Sequence, residues 1–462
     1  MRRTLRIKSR AARTLLVGVF VMTSMAASIP HAQEIRAISL GEAIRIALEN
    51  NISLKQSSNQ VAAGEISAQQ AKADFYPNLN GSVSTSEGYS RRVDPTTGQT
   101  EARNAQSLGV RLSSSVTLFN GFGNVASLEK SKLDLAASEA SFSRIRESIM
   151  FDTISQFLQV LQDKELTQSE VGNLEAQRGQ LERIEEFYKA GNRSIADVLG
   201  QRALIAQAEL RVLSAERSLT VSKLTLLKTM DLEPAIEVEI VEPPPGQLDR
   251  FFSDQSPDDS ERLLKAALTK RADLQARQMQ IDAAKKQLRV ARAGYWPALS
   301  LSADAGTGYG SQNESGGFFD QLLDSSPNAG VGLSLSIPIF DRSRTKNSIA
   351  QAEIQLANER LNQESLKQEV AFQIRQVVLD YQTAVKQLDV AEALVASARQ
   401  AFEVTEAQYN VGSSTLVELA QFRAQYVEAT HDRVKARTNL LLNQVAAEYV
   451  QGEMERVVAL FE

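Results

Sequence analysis

The chain has 462 residues, 51 Lys and Arg against 56 Asp and Glu, a net charge of −5, two histidines and no cysteine. Without cysteine there is no disulfide, no thiolate metal site and no lipid attachment at a mature N-terminal Cys. The two signs of charge are interspersed, so no basic stripe points to nucleic acid.

Residues 1–32 read as a secretory signal. Arg2, Arg3, Arg6, Lys8, Arg10 and Arg13 form a basic leader, Leu15 to Met25 an apolar core, and Ala26, Ala27 and Ala32 supply small residues for cleavage. That core is too short to span a bilayer as a helix, and no later apolar run is long enough either. An exported chain of this kind is soluble or enters a membrane as a β-barrel.

Residues 33–245 form the first of two structural repeats. A helix is expected over 39–76, with Ser39 as N-cap and Glu42 completing a capping box. Pro77 ends it, because its ring clashes with the preceding turn and it has no N–H. Strands follow at 79–87 and 108–118, around a polar loop carrying Gly88, Arg91, Arg92, Asp94, Pro95 and Gly98. In the second strand Leu108, Val110, Leu112, Val116 and Leu118 share one face, while Gly109, Arg111, Ser113, Ser115 and Thr117 share the other. A long helix over 120–190, capped by Asn120, carries Leu128, Leu135, Phe142 and Ile149 every seventh residue, a spacing that supercoils helices side by side. At 1.5 Å per residue it would reach roughly 105 Å, the scale of a compartment. It ends in the turn Tyr188-Lys189-Ala190-Gly191-Asn192-Arg193-Ser194, where Gly191 permits the left-handed conformation and Ser194 caps a return helix over 194–230.

After an extended connector at Glu242-Pro243-Pro244-Pro245-Gly246, residues 246–462 repeat the plan. The expected elements are a helix over 258–296, strands at 299–307 and 331–339, a long helix over 341–411 capped by Asp341, and a return helix over 415–451. Ala71-Lys72-Ala73-Asp74-Phe75-Tyr76-Pro77-Asn78-Leu79 recurs 220 residues on as Ala291-Arg292-Ala293-Gly294-Tyr295-Trp296-Pro297-Ala298-Leu299. Beyond the strands the offset is 221, pairing Gly109 with Gly330, Phe119 with Phe340, Tyr188 with Tyr409 and Gly191 with Gly412. Aligned glycines and aromatics at one spacing mark a true internal repeat.

The strands, apolar on one face and small or polar on the other over about 9 to 11 residues, have the pattern of outer-membrane strands around a wet lumen. Phe75, Tyr76, Phe119, Tyr295, Trp296 and Phe340 all fall at one end of them, where a membrane-interface girdle would sit. Four strands cannot close a barrel, so the protein must oligomerise; two protomers would give eight strands and three would give twelve.

No catalytic constellation is found. His31 lies in or beside the signal and His431 stands alone on a helix as a surface residue; no GxSxG, HExxH or phosphate-loop pattern occurs, and nothing implies a cofactor or metal. Asp197 and Glu418 occupy equivalent places just past the two glycine tips, where the helix dipole alone favours an acid.

The aromatic-Pro-x-Leu junctions, the Phe-Asn and Phe-Asp re-entries into helix and the paired Tyr-x-x-Gly tips resemble the TolC family of outer-membrane efflux channels, over essentially the whole mature chain. The resemblance implies a mainly α protein with membrane β: a homotrimeric channel-tunnel whose twelve-stranded barrel, four strands per protomer, sits in outer-membrane lipid and continues as a coiled α-helical barrel through the periplasm. It selects three protomers over two. It implies the exit duct of a tripartite efflux pump or type I secretion system, not an enzyme. Tips at Gly191 and Gly412 would receive a periplasmic adaptor (membrane fusion) protein, linked to an inner-membrane pump or ABC transporter. The family's gate places Tyr409, Asp197 and Glu418 in its closing network. This chain departs at Ser414, where a basic residue is expected, and at Gln421, where a second acid is; Arg193 at the other tip would supply the cation. The rival reading is a periplasmic coiled-coil scaffold without a channel.

Overall fold

Each repeat opens with a helix that breaks early. In the computed structural model, which describes residues 36–93, 98, 100–236, 238–242, 259–311, 317–325 and 327–459, the first segment is β1 (Arg36–Ile38), α1 (Leu40–Asn50) and α2 (Ile52–Ala73). The expected signal at 1–32 and connector at 243–246 lie outside the described residues. The single helix expected over 39–76 is therefore two helices. Asn51 leaves the helical region at φ −53° and ψ 123°; its Oδ1 accepts from the amides of Ser53 (2.9 Å) and Leu54 (3.3 Å) and its Nδ2 donates to the Thr229 carbonyl at 3.3 Å.

The second repeat does the same. Its expected helix over 258–296 is α5 (Ser260–Lys270) and α6 (Ala272–Ala293), broken at Arg271, whose Nη1 donates to the Val450 carbonyl at 3.2 Å. Thr229 and Val450 are 221 residues apart, so in both repeats the break residue grips the same point near the end of the return helix. Sequence periodicity cannot show this, because the break has neither Gly nor Pro and its cause is a partner about 180 residues away.

Between these helices and the long ones lie β2 (Asn80–Val93), β3 (Thr100–Asn120), β5 (Ala298–Gly310) and β6 (Asn328–Ser336), one antiparallel sheet in the order β2-β3-β5-β6. A separate pair, β1 with β4 (Val238–Ile240), is parallel. The first hairpin is longer than its apolar stretches foretell: Gly88, Arg91 and Arg92, read as loop, belong to β2, and β3 starts at Thr100 rather than 108. Strand β6 is shifted three residues toward the N-terminus from the expected 331–339, leaving Ile337, Pro338 and Ile339 outside it; Pro338 has no N–H for a ladder. Register places Val83 beside Val110 and Val110 beside Thr307, and Leu301 beside Leu333, so the apolar side chains form one continuous face, exposed in the protomer.

The long helices are α3 (Gly123–Lys189) and, after a short turn α7 (Phe318–Asp320) continued by a π turn (Gln321–Ser325), α8 (Arg344–Asn410); they return as α4 (Ile195–Thr229) and α9 (Leu416–Gln451), and α10 (Met454–Val458) closes the described chain. Both long helices start three residues later than expected, after two successive left-handed residues, Gly121 and Phe122 or Arg342 and Ser343. The expected caps still act from further out: Asn120 Oδ1 accepts from the Asn124 amide (3.2 Å) and Asp341 Oδ2 from the Thr345 amide (2.8 Å). Gly121 is required twice over, since φ is +64° and a Cβ would lie 2.6 Å from Trp296 Cβ.

The principal core lies midway along α3, not at its ends. Ile149, Ile154, Phe157 and Leu158 of α3 pack there with Ile38, Ile44, Leu226, Met230, Ile240, Val445 and Met454. A second cluster joins α5, α6, α8 and α9 through Leu263, Leu274, Val370, Ile374 and Val450. Toward the hairpin tips the buried clusters are small, consistent with helices that pack side by side. No described helix is long and apolar enough to cross a membrane.

Candidate functional site

The two hairpin tips are built alike. Gly191 stands at φ +80° and Gly412 at φ +83°, with open space around each, so backbone conformation rather than crowding demands glycine. At the first tip the Asn192 amide donates to the Phe187 carbonyl (2.8 Å) and the Gly191 amide to Tyr188 (3.0 Å); at the second, Ser413 donates to Gln408 (2.9 Å) and Gly412 to Tyr409 (3.0 Å). The return helices then start in capping boxes. Ser194 Oγ accepts from the Asp197 amide at 3.2 Å while Asp197 Oδ2 accepts from the Ser194 amide at 3.2 Å, and Thr415 and Glu418 reciprocate at 3.2 and 2.9 Å.

The expected gate acids are thus held in their own caps. Glu418 Oε2 also accepts from Ser414 Oγ at 2.8 Å, and the Thr415 amide, Ser414 and Thr415 hydroxyls together hold its carboxyl below the ordinary glutamate range. The structure does not bring Asp197 and Glu418 to each other.

It does bring Arg193 and Tyr409 together. The guanidinium lies over the Tyr409 ring, 4.1 Å from its centre, and Nη2 donates to the Tyr409 carbonyl at 2.5 Å. Tyr409 is 1% exposed, packed with Ile184, Val198 and Leu419. Its hydroxyl has no hydrogen-bond partner among the described residues, and burial pushes the phenol up. The first tip and the last turn of α8, at residues 216 apart in sequence, are joined here.

The repeat partners of these residues behave differently. Tyr188, equivalent to Tyr409, is 43% exposed. Below the tips, Arg202 meets Glu185 at 2.8 Å and its equivalent Arg423 meets Glu406 at 3.6 Å, yet the Arg202 side chain is 59% exposed and that of Arg423 only 7%. Arg423 also lies 5.0 Å from the centre of the Phe402 ring, which stacks on Tyr426. Sequence reasoning passed over this pair, although the 221-residue offset links both arginines and both acids. It also placed His431 on the surface; the side chain is largely buried, with Nε2 3.6 Å from Glu170 Oε1.

The six aromatic residues singled out from sequence all stand at the helix-proximal end of the sheet. Phe75, Tyr76, Tyr295, Trp296 and Phe340 are exposed and Phe119 is half-buried against Phe122.

A family model described as outer membrane efflux protein matches residues 43–230 and 263–448, the two repeats. The chain is 23% identical over 357 residues to the outer membrane protein TolC of Escherichia coli, covering 76% of this chain and 70% of that protein. It is 25% identical over 415 residues to the pyoverdine export outer membrane protein OpmQ of Pseudomonas aeruginosa, covering 87% and 82%. Among solved structures, the CmeC outer membrane channel of Campylobacter jejuni matches with a TM-score of 0.75 at 18% identity over 90% of this chain and 85% of that one. CusC matches with a TM-score of 0.74 at 18% identity, over 89% and 91%. At that identity the structures show the shared fold.

Proposed function

The chain belongs to the outer membrane efflux protein family, the family of TolC, and on that premise we propose how its own residues build and gate the duct. The protein is an outer-membrane exit channel for efflux that extends into the periplasm. Its sheet ends in open edges, β2 on one side and β6 on the other. Lipid offers no partner for those backbone groups, so three protomers join edge to edge as a twelve-stranded barrel. The apolar sheet face meets lipid, and Phe75, Tyr76, Phe119, Tyr295, Trp296 and Phe340 form the girdle at its periplasmic boundary.

Three protomers also arrange six hairpins in a ring with two kinds of seam. Within a protomer, the second hairpin presents Tyr409 and Arg423 to the first. Between protomers, the exposed face of the first hairpin, with Tyr188 and Arg202, meets the second hairpin of the neighbour. The seam within a protomer is latched by Arg193 on Tyr409, and that contact carries the proposal. By the 221-residue offset, the matching seam between protomers sets Tyr188 beside Ser414, which has neither charge nor reach. The tip therefore opens between protomers, with the two hairpins of each moving together. Three Glu418 carboxylates around the opening favour cations.

The exposed tips at Gly191 and Gly412 receive a periplasmic adaptor protein, which binds the open arrangement better than the closed one and so shifts the population toward it. An inner-membrane pump or ABC transporter supplies the energy; conduction through this chain is passive. Planar-bilayer recording of the detergent-extracted oligomer, wild type beside Ser414→Arg, tests the gate. An arginine added at the seam between protomers is expected to make openings rarer. A Ser414→Arg channel that opens as often as wild type would show that this seam is not the one that parts.

A further inference from the structure

The outer end of the sheet carries a surface that neither duct nor gate uses. Strand β6 begins at Asn328, opposite Gly306, whereas β5 continues to Gly310 and remains paired with β3 through Ser107. Beside residues 307–310, the place β6 would occupy is taken by α7 and its π turn. Thr307 Oγ1 donates to the Leu322 carbonyl at 2.6 Å, and the Gly310 amide donates to Oε1 of the buried Gln321 at 3.0 Å. The Phe318 ring lies 5.0 Å from that of Tyr309. The Gly310 amide, on the free edge of β5, thus finds its partner within the protomer.

Thr307 and Tyr309 alternate in phase with Leu301, Ala303 and Ala305 and stand across from Val110 and Leu108, so the turn lies on the side of the apolar face. Gln321 points inward to the strand edge while Phe319 and Leu323 are each 72% exposed, with Phe318 and Phe319 packed edge to face at 5.3 Å; Asp320 and Asp324 are exposed beside them, as suits a turn at headgroup level rather than in the hydrocarbon. From Leu299, beside the Trp296 girdle, to Tyr309 is ten residue steps, roughly 34 Å of strand; at a tilt of about 40° this is roughly 26 Å along the barrel axis, against an apolar band of about 25 Å. The turn thus sits at the depth of the opposite boundary of the bilayer. In the first repeat this level carries polar strand residues, with Glu87 facing Gln106, so among the described residues the turn belongs to the second repeat alone.

We propose that this turn is a second membrane anchor, in which Phe318, Phe319 and Leu323 insert into the lipid interface at the extracellular rim and fix that end of the barrel, as the Trp296 girdle fixes the other. The proposal rests on the reading that the apolar sheet face meets lipid; continuity of the turn with that face selects lipid as its occupant. The absence of cysteine makes the test direct. A nitroxide is attached at Phe319→Cys in the oligomer reconstituted in phosphatidylcholine vesicles, and its collision rates with oxygen and with a water-soluble nickel chelate are compared. Leu333→Cys serves as the lipid-facing reference and the exposed tip residue Lys189→Cys as the aqueous one. Oxygen accessibility above nickel accessibility, at a depth shallower than Leu333, is expected. Nickel accessibility like that of Lys189 would put the turn in water, and protection from both reagents would bury it against the neighbouring protomer; either overturns the anchor. Leu323→Cys reports on the same surface should Phe319→Cys fail to assemble. A Leu333 label that itself prefers nickel would refute the lipid-facing sheet rather than the turn alone.

Discussion

Replacing Arg193 by alanine removes the polar link between the hairpin tips of a protomer, which adds to the apolar packing of Tyr409 and Leu419 on Ile184 and Val198, and its size can be worked from the contacts. A cation over an aromatic ring at a partly exposed site contributes about 0.5–1 kcal/mol. A hydrogen bond from a charged donor contributes about 1.5–3 kcal/mol, toward the lower end where water competes, as it does at half-buried Arg193. Together they bias the seam by about 2 kcal/mol, which at about 1.4 kcal/mol per tenfold is roughly 30-fold in the ratio of closed to parted hairpins. Single-channel recording in planar bilayers should therefore show Arg193→Ala adding openings through the seam within each protomer, which the latch keeps shut in wild type, and so opening more often overall, with the oligomer intact on heat-sensitive gel migration. Two companions sharpen the reading. Tyr409→Phe should leave gating near wild type, because the hydroxyl has no partner to lose and the ring that carries the cation remains. Tyr409→Ala should behave like Arg193→Ala or worse, since it also leaves a cavity among Ile184, Val198 and Leu419. Unchanged gating in an assembled Arg193→Ala channel would refute the latch, and a Tyr409→Phe channel as leaky as Arg193→Ala would move the link from ring to hydroxyl.

Arg271→Met should lower the stability of the assembled protein by about 1.5–3 kcal/mol in denaturant melts, because it removes the charged hydrogen bonds to the half-buried Asp273 carboxylate and leaves it Arg144, at 3.6 Å, as its cation. Arg271 Nη2 meets Asp273 Oδ2 at 2.7 Å, Nε meets Oδ1 at 3.1 Å, and Nη1 reaches Gln373 as well as Val450. Burial pushes the Asp273 carboxyl up, but Arg271 and Arg144 outweigh it and hold it below the ordinary aspartate range. A depressed carboxyl contributes stability at pH values above that range and loses it as pH falls through the folded value, so the gap between wild type and Arg271→Met should narrow in acid; a gap that widens would contradict the assignment. Gly121→Ala should impair folding well beyond the roughly 1–2 kcal/mol of a left-handed alanine, since its Cβ meets Trp296 and the Ala293 carbonyl, whereas Gly191→Ala should show only the backbone penalty; equal melting shifts for the two would refute the close approach at Gly121. Cation selectivity, read from reversal potentials, should persist as pH falls past the ordinary glutamate value of 4.5 and vanish only below it, because the cap of Glu418 favours its ionised form. Loss of selectivity at or above that value, or selectivity retained in Glu418→Gln, would remove Glu418 from the constriction.

Much of this protein is legible one segment at a time. Pro77 and Pro297 end helices whatever surrounds them; the alternation of Leu108, Val110 and Leu112 with Gly109, Arg111 and Ser113 makes a strand with two unlike faces; Gly191 with Ser194, and Gly412 with Thr415, close one helix and start the next. These are consequences of backbone sterics and of hydrogen bonds within a few residues, so they need no tertiary partner. The polar ends of β2 and β3 escaped because residues beyond the apolar band carry no apolar alternation, and it is the ladder register that places them in the sheet. The breaks at Asn51 and Arg271 were invisible because each answers to a carbonyl at the far end of its repeat. The two Tyr-x-x-Gly tips divide the case most sharply. Sequence made them equivalent, and their turns and caps are equivalent. Only the packed protomer made them differ, burying Tyr409 under Arg193 and leaving Tyr188 open, because a chain with two copies of one hairpin can cover the same face of only one of them with itself.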